Sequence, residues 1–261
     1  AASRIMPALL RDLGVAVSEL YTDIEAPFPH DPEPRPKNLT ELSKAVVRER
    51  ADIGFACDPD GDRLVLVDET GTVLSEELTL ALAADFILKA EKGPLVANLS
   101  TSRLVEDLAS RHGVPAHRSK VGEAHVVRLM REVHAAIGGE GNGGVIYPKL
   151  HYGRDAMGGA ALVLQLLAEE GLSLSRKVSG FPRYFVAKEK FPLKGDFSAV
   201  GRILRERYSG RFSDIDGIRI DMEDGWIHLR RSNTEPVIRV IAEAHSPEEA
   251  QRLAVEAGKL L

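Results

Sequence analysis

The segment D-P-D-G-D-R, residues 58–63, concentrates negative charge in a short loop. Asp58, Asp60 and Asp62 alternate with a proline and a glycine, and Arg63 closes the run. Ionised carboxylates ~4 Å apart repel one another by about 4 kcal/mol per pair at an effective dielectric constant of ~20, so a fold that gathers three of them needs a counter-charge. A divalent cation would supply it, and Arg63 adds a cation that could contact a phosphoryl oxygen.

Two other interpretations of this acidic loop are a calcium loop of the helix-loop-helix type and a solvated turn. The aspartates and Glu69 fall at calcium-loop positions 1, 3, 5 and 12. However, Arg63 replaces the glycine required at position 6, and the flanking residues predict strands rather than helices. A solvated turn explains Pro59 and Gly61 but not three alternating carboxylates. The loop therefore favours a metal site, and Mg²⁺ is preferred because few oxygen ligands leave room for a substrate phosphate.

A second loop, G-G-E-G-N-G-G at residues 138–144, contains five glycines around one acid and one amide. Glu140 and Asn142 could each hydrogen-bond neighbouring hydroxyl groups of a sugar, because the glycine backbone permits close approach. A flexible linker is the alternative, although linkers do not usually follow a buried strand. This loop alone does not decide between the two.

A third loop, R-R-S-N-T-E-P at residues 230–236, lies between two predicted strands. Backbone N–H groups in a tight turn, with the side chains of Arg230, Ser232, Asn233 and Thr234, would form an anion-binding site, and arginine offers two parallel hydrogen bonds to phosphate. A polar hairpin turn without a ligand is the alternative.

One lysine adds a further candidate for chemistry. Lys120 lies in S-K-V-G, at the end of a predicted strand, where it could bind phosphate or act as an acid or base if desolvated. A solvated surface lysine is the more common outcome. The three loops together offer partners for a cation, a polyol and a phosphate, a combination more specific than any one of them.

The composition indicates a globular chain with more than one domain. Its 261 residues, 44% hydrophobic and 28% charged, exceed the usual domain size of ~100–200 residues. A net charge of −5 with scattered basic residues predicts neither a nucleic-acid nor a membrane partner, and no apolar run approaches about 18 residues. The single cysteine, Cys57, cannot form an internal disulfide, which fits a cytoplasmic location, and it is interpreted as a small buried hydrophobe rather than a reactive thiol.

The elements that must position these loops follow from hydrophobic periodicity and turn signals. The first part of the chain predicts a helix at 4–13 with Ile5, Leu9, Leu10 and Leu13 on one face, a strand at 15–20, a proline-rich loop at 26–37, a helix at 40–50 and strands at 52–57 and 64–68. The strand at 52–57 is expected to be continuously buried.

The rest of the chain predicts two further units. The middle unit alternates helices at 76–91, 102–112, 123–134 and 155–170 with strands at 94–98, 114–118 and 135–138, which indicates a mainly parallel sheet with ligands at the carboxyl ends of its strands. The last unit predicts a strand at 183–190, a helix at 196–208, strands near 214–222, 225–230 and 236–243, and a helix at 246–261.

The expected fold class is α/β. Two mixed or parallel-sheet α/β units, the first truncated, are followed by a C-terminal α+β domain with an antiparallel sheet. The boundaries are expected at 1–75 for the remainder of the second domain with the metal loop, 76–178 for the third domain with the sugar loop, and 179–261 for the phosphate-binding domain.

The three loops, in this order, resemble the signature loops of the α-D-phosphohexomutase family, which includes phosphomannomutase, phosphoglucomutase and phosphoglucosamine mutase. D-P-D-G-D-R resembles the family's metal loop, G-E-G-N-G-G its sugar loop and R-R-S-N-T-E-P its phosphate loop. The resemblance implies an isomerase that interconverts hexose 1-phosphate and hexose 6-phosphate through a phosphoserine and a bisphosphate intermediate. Hexose phosphates are then the expected partners.

The same resemblance implies a role for each candidate residue. Mg²⁺ would be bound by the three aspartates of the acidic loop, Arg63 would assist the reacting phosphoryl group, and Lys120 would be the acid or base. The implied substrate-binding residues are Glu140 and Asn142 for the sugar, and Arg230, Ser232, Asn233 and Thr234 for the non-reacting phosphate.

Two departures from the family pattern matter. The family's sugar loop often reads Glu-x-Ser-Gly-His, whereas this chain has Asn142 for the serine and Gly144 for the histidine, so no proton-transfer role carries over to position 144. No serine here stands in a Ser-His-Asn-Pro-like loop. We therefore expect a fragment that lacks the N-terminal phosphoserine domain and is inactive alone. A non-catalytic sugar-phosphate-binding module and a phosphotransferase with an aspartate nucleophile are the rival functions.

Overall fold

The computed structural model describes residues 2–192, 197–232 and 235–261, apart from the side chain of Ser198. These residues form two compact units, one ending at Phe181 and the other beginning at Pro182. In the described part of the chain, none of the helices combines the length and the apolar character needed to cross a lipid bilayer.

The first unit opens with two helices and a two-stranded sheet. They are α1 (Ala2–Asp12), α2 (Thr40–Glu49), β1 (Ile53–Cys57) and β2 (Leu64–Asp68). A short 3₁₀ helix, Pro36–Asn38, lies between α1 and α2 along the chain. The two strands are antiparallel, and Cys57 pairs with Leu64 across the acidic loop. This loop therefore connects the two strands of a hairpin.

Three predictions for this region are wrong. The buried face of α1 is formed by Ala2, Met6 and Leu10, whereas Ile5 and Leu13 are 54% and 52% exposed. Residues 15–20 form no strand, since no neighbouring strand among the described residues pairs with them. In β1 only Gly54 is buried, whereas all five residues of its partner β2 are buried, so continuous burial is a property of the second strand of the hairpin and not of the first.

The remainder of the first unit is a four-stranded sheet with helices on both faces. Its elements are α3 (Glu77–Ala90), β3 (Leu95–Asn98), α4 (Leu104–His112), β4 (Ala116–Ser119), α5 (Glu123–Glu132), β5 (Ile137–Glu140), β6 (Gly144–Ile146), α6 (Ala156–Glu170) and α7 (Leu174–Val178). The strand order is β4-β3-β5-β6, in which β3 is parallel to β4 and β5, and β6 is antiparallel to β5.

Apolar side chains alternate between the two faces of this sheet. Leu95 and Ala97 of β3 pack with α3 and α4 on one face, while Val96 packs with Val126 and Met130 of α5 on the other. The strands are therefore buried on both sides, as parallel strands covered by helices are. This arrangement places the carboxyl ends of β3, β4 and β5 at one edge of the sheet.

The second unit is a five-stranded antiparallel sheet with two helices. Its elements are β7 (Phe185–Pro192), α8 (Phe197–Arg207), β8 (Arg211–Ser213), β9 (Ile218–Asp221), β10 (Gly225–Arg231), β11 (Val237–Ala244) and α9 (Pro247–Gly258), with strand order β7-β11-β10-β9-β8. Apolar residues of α8 and α9 form one core with Ile227, Leu229 and Val240 of the sheet. The predicted α/β class, with an antiparallel C-terminal sheet, is confirmed.

Candidate functional site

The acidic loop brings three carboxylates together between β1 and β2. One oxygen each from Asp58, Asp60 and Asp62 lies within 4.8 Å of the others, a spacing that a single metal ion can bridge. Asp58 is buried, and its Oδ1 accepts hydrogen bonds at 3.1 Å from the backbone N–H groups of Asp62 and Arg63. These bonds curl the loop around the Asp58 carboxylate.

The charge of Arg63 is directed into this loop. Its Nε donates to Oδ2 of Asp58 at 2.5 Å and lies 3.6 Å from Oδ1 of Asp62. Burial raises the pKa of Asp58, but the hydrogen bonds from the backbone and guanidinium of Arg63 outweigh burial, so the pKa is below its usual value. Asp58 is therefore held as a carboxylate.

Asp62 is the member of the triad with an unused oxygen. Its Oδ1 is buried and has no hydrogen-bond partner among the described residues, while Arg154 forms an ion pair with Oδ2. Burial, with the neighbouring charges of Asp58 and Asp60, raises the pKa of Asp62 to about 6, although the charge of Arg154 lowers it. A buried carboxylate oxygen without a donor, beside two more carboxylates, fits a hard divalent cation.

The cysteine next to this loop takes no part in nucleophilic chemistry. Burial, with the neighbouring Asp58 charge, raises the pKa of the Cys57 thiol to about 12. A thiol with this pKa is protonated at neutral pH, so Cys57 is not a reactive thiolate.

The glycine-rich segment forms a hairpin that is attached to the acidic loop. β5 ends at Glu140 and β6 begins at Gly144, so residues 141–143 are the turn. The backbone N–H of Leu64 donates to the carbonyl of Gly143 at 3.0 Å, and the N–H of Ala156 donates to the carbonyl of Gly61 at 3.2 Å. One backbone hydrogen bond therefore joins the start of β2 to the sugar loop, and the other joins the acidic loop to the start of α6.

Glu140 lies at the carboxyl end of β5 and is only 4% exposed. Its Oε1 accepts hydrogen bonds from Nδ2 of Asn98 at 2.7 Å and from the N–H of Gly122 at 3.0 Å, and its Oε2 pairs with Nη1 of Arg154 at 2.7 Å. Asn142 is half-buried and accepts the N–H of Gly144 at 3.1 Å. The Glu140 carboxylate is thus fixed by three segments at once.

Lys120 follows β4 at the same edge of the sheet. Its side chain is exposed, and its ammonium group makes no hydrogen bond or ion pair with other described residues. The N–H of Gly122, two residues on, reaches Glu140. The S-K-V-G loop therefore borders the sugar loop.

Sequence reasoning missed three residues of this site. Asn98 ends β3, Glu123 begins α5, and Arg154 precedes Asp155, whose side chain accepts the N–H of Met157 and so begins α6. Asn98 could have been found as a polar residue at the carboxyl end of a predicted strand. For Arg154, no signal in its own segment reveals that it contacts two distant loops.

The predicted phosphate loop belongs to the second unit. It connects β10 to β11, where the N–H of Ser232 donates to the carbonyl of Val237 at 2.9 Å. Asn233 and Thr234 lie outside the described residues. Arg230 is half-buried near the end of β10.

A row of cations crosses the sheet beside this loop. Arg230 is opposite Arg239 in β11, which is opposite Lys190 in β7. Lys190 pairs with Glu235 of the loop at 2.7 Å, and Nη2 of Arg239 is 3.4 Å from the same carboxylate. Like charges directly opposite each other destabilise a sheet, and the Glu235 carboxylate offsets the charges of two of these three cations. Arg239 and Lys190 are further candidates that the motif did not reveal.

The fold and the first-unit site define a multidomain α/β protein. In it, an acidic loop whose carboxylates could hold a cation is attached to a glycine-rich hairpin at a sheet edge. Three family models match it in succession. They are phosphoglucomutase/phosphomannomutase domain II at residues 1–71, domain III at residues 75–184 and the C-terminal domain at residues 183–259. The chain belongs to the phosphoglucomutase/phosphomannomutase family, which confirms the resemblance.

Known relatives agree with this membership. The chain is 38% identical over 266 residues to a phosphoglucomutase/phosphomannomutase of Thermococcus kodakarensis, covering 100% of this chain and 58% of the relative. It is 37% identical to a probable phosphoglucosamine mutase of Methanopyrus kandleri, covering 97% and 57%. A crystal structure of a family protein from Burkholderia thailandensis superposes with a TM-score of 0.85 at 29% identity, covering 99% of this chain and 58% of that one. The chain thus spans less than two thirds of each.

Proposed function

We propose that this chain supplies the metal-, sugar- and phosphate-binding parts of a phosphohexomutase that interconverts hexose 1-phosphate and hexose 6-phosphate through a phosphoserine and a bisphosphate. The observation that carries the proposal is the attachment of the acidic loop to the glycine-rich hairpin, by the Leu64–Gly143 hydrogen bond and by Arg154 between Asp62 and Glu140. This attachment holds a cation site next to a site for hydroxyl groups.

The proposed metal is Mg²⁺, held by the three aspartates of the acidic loop. All the available donors are carboxylate oxygens, and three ligands leave room for water and a phosphoryl oxygen, which suits Mg²⁺. When bound, the ion would neutralise charge on the transferred phosphoryl group. Arg63, already directed into the loop, would donate hydrogen bonds to the same group.

The remaining roles concern binding and proton transfer. Glu140 and Asn142 would bind sugar hydroxyls, and the cation row with Arg230, Ser232, Asn233 and Thr234 would bind the non-reacting phosphate. Lys120 is proposed as the acid or base, supported by its place in the S-K-V-G loop, whose Gly122 N–H donates to Glu140. The reaction also needs a phosphoserine, which no serine of this sequence offers in the family's context. The three-domain division, with boundaries after residues 75 and 178, is proposed with the family matches beginning at 75 and 183 as support.

The choice of hexose has two candidates. One relative is named phosphoglucomutase/phosphomannomutase and another probable phosphoglucosamine mutase, at 38% and 37% identity. Titration of the chain with glucose 6-phosphate, mannose 6-phosphate and glucosamine 6-phosphate in the presence of Mg²⁺ would separate them, because the preferred sugar binds with the lowest Kd.

The metal assignment is tested by Asp60→Asn. Asp60 is the exposed member of the triad, so its loss should leave the unfolding temperature unchanged while lowering Mg²⁺ affinity at least about tenfold in calorimetric titration. Asp52→Asn is the matched control, since Asp52 is an exposed aspartate before β1. Mg²⁺ binding that is equal in both variants would show that the cation binds elsewhere.

A further inference from the structure

Position 144 carries no side chain, and Arg154 occupies the space that one would fill. A Cβ atom built on Gly144 would lie 2.3 Å from Cδ and 2.9 Å from Cγ of Arg154, closer than real Cβ contacts. Gly144 begins β6 after the sugar-loop turn, whereas Arg154 precedes α6. A side chain from another segment therefore takes the place next to the sugar loop.

The guanidinium of Arg154 contacts three carboxylates from three segments, through a different nitrogen for each. Nη1 lies 2.7 Å from Oε2 of Glu140, and Nε lies 3.0 Å from Oε2 of Glu123. Nη2 forms the ion pair with Oδ2 of Asp62. The side chain is only 20% exposed, so solvent screens these contacts weakly.

Arg154 is the cation closest to Asp62. The other guanidinium in the loop, that of Arg63, is engaged at 2.5 Å by Asp58 and lies farther from Asp62, at 3.6 Å. Oδ1 of Asp62 accepts no hydrogen bond in the described part of the chain. Without a bound metal, the charge of Asp62 is therefore balanced mainly by Arg154.

We propose that Arg154 is a positioning residue of the metal site, and that its Nη2 and a divalent cation alternate as the partner of Asp62. The inference rests on the proposed function, because it takes Asp62 as a metal ligand. A separate nitrogen serves each carboxylate, and the guanidinium is planar and rigid, so the exchange requires the Asp62 carboxylate to turn away from Nη2 while Nη1 and Nε keep Glu140 and Glu123 in place. Arg154 thus holds the sugar loop in both states and opposes the cation only at Asp62.

Arg154→Met tests the competition, because methionine keeps most of the length and removes the charge. Calorimetric titration with Mg²⁺ should give a Kd roughly fivefold to tenfold lower than that of the wild type, since a positive charge next to the bound ion is lost. The unfolding temperature should fall, because the contacts with Glu140 and Glu123 are lost. Loss of a merely structural residue would weaken Mg²⁺ binding, and so raise the Kd, as well as lower the unfolding temperature. Tighter Mg²⁺ binding in a less stable variant is therefore the distinguishing result.

Two further variants serve as controls for charge and for the substitution itself. Arg154→Lys keeps the charge, so its Mg²⁺ affinity should stay within about twofold of wild type. Arg128→Met removes an arginine that is 76% exposed and pairs with Glu132, and it should change neither quantity. A wild-type chain that binds no Mg²⁺ refutes the proposed metal site and this inference together. If the wild-type chain binds Mg²⁺ and Arg154→Met binds it no more tightly, this inference alone is refuted.

A double-mutant cycle tests whether Arg154 fills the place of a side chain at position 144. Gly144→Ala should lower the unfolding temperature in the wild type, because the new methyl group collides with Arg154, and should tighten Mg²⁺ binding by displacing the guanidinium. In an Arg154→Ala background, Gly144→Ala should lower the unfolding temperature by less than half as much. An equal loss in both backgrounds would refute the assignment.

Discussion

Gly143→Ala probes the attachment of the sugar loop to the metal loop. Gly143 has a φ angle of +89°, in the region that glycine adopts at little cost. A Cβ atom at this position would lie 2.4 Å from the carbonyl oxygen and 3.0 Å from the nitrogen of Leu64. The hairpin turn and the start of β2 would therefore have to separate.

The expected loss has two parts. A side chain in the left-handed region costs about 1–2 kcal/mol, and loss of the 3.0 Å hydrogen bond from Leu64 to Gly143 costs about 1 kcal/mol. The carbonyl oxygen of Leu64 also accepts Oγ1 of Thr79 at 2.6 Å, so it cannot move freely. A total of about 2–3 kcal/mol corresponds to a decrease of ~4–12 °C in unfolding temperature.

Gly171→Ala is the matched control, measured by thermal unfolding alongside Gly143→Ala. Gly171 ends α6 with a φ angle of +62°, and a Cβ atom there would meet nothing within 4 Å. It should therefore show only the backbone cost, about 1–2 kcal/mol or ~2–8 °C, without the loss of the hydrogen bond. Equal losses in the two variants would mean that the close approach of Gly143 to Leu64 contributes nothing, and would refute the reasoning.

Two pH-dependent effects complete the predictions. Burial lowers the pKa of His228 to about 4. The neutral imidazole therefore contributes fully to stability above pH 6.5, and this contribution is lost as the pH falls towards 4. His228→Gln should remove about 3 kcal/mol of this pH dependence of the free energy of unfolding, measured by urea unfolding. For Glu69, burial raises the pKa, but hydrogen bonds from Ser175 and Ser173 outweigh it and lower the pKa to about 2. Glu69→Gln should therefore cost about 1–2 kcal/mol at pH 7, after allowance for solvent screening, and the difference should vanish as the pH falls from 4.5 to 2.

Each effect has a result that would contradict it. A His228→Gln protein that loses stability between pH 6.5 and 4 as steeply as the wild type would place the titrating group elsewhere. For Glu69, a useful control is Ser175→Ala, because its hydroxyl and N–H both donate to that carboxylate. If both variants match the wild type at pH 7, these hydrogen bonds do not stabilise the fold.

Local signals account for the parts of the fold that the sequence predicts well. The strand at 64–68 matches β2, and the helix at 155–170 matches α6 to within a residue, because Asp155 caps its first turn and Gly171 ends it. The strand at 15–20 fails because a strand needs a hydrogen-bonding partner that periodicity cannot supply. The sequence does not predict β6, because this strand begins in the glycine run and glycine is uncommon in strands.

In the candidate site, too, residues that depend on local sequence can be predicted and residues that depend on distant contacts cannot. The acidic triad is visible in the sequence because all three carboxylates come from one loop, with Asp58 hydrogen-bonded to that loop's own backbone. Arg154 is not visible, because its partners Glu123, Glu140 and Asp62 come from separate segments. The burial of Glu140 likewise depends on Asn98, which a neighbouring strand supplies.

Backbone hydrogen bonds fix the acidic hairpin to its neighbours, from Leu64 to Gly143 of the sugar loop and from Ala156 at the start of α6 to Gly61. Such bonds use no side-chain atoms, although the bond to Gly143 requires that position to carry no side chain. Exposed side chains of the two loops can therefore be exchanged during evolution while the backbone spacing between β2 and the glycine-rich turn stays fixed.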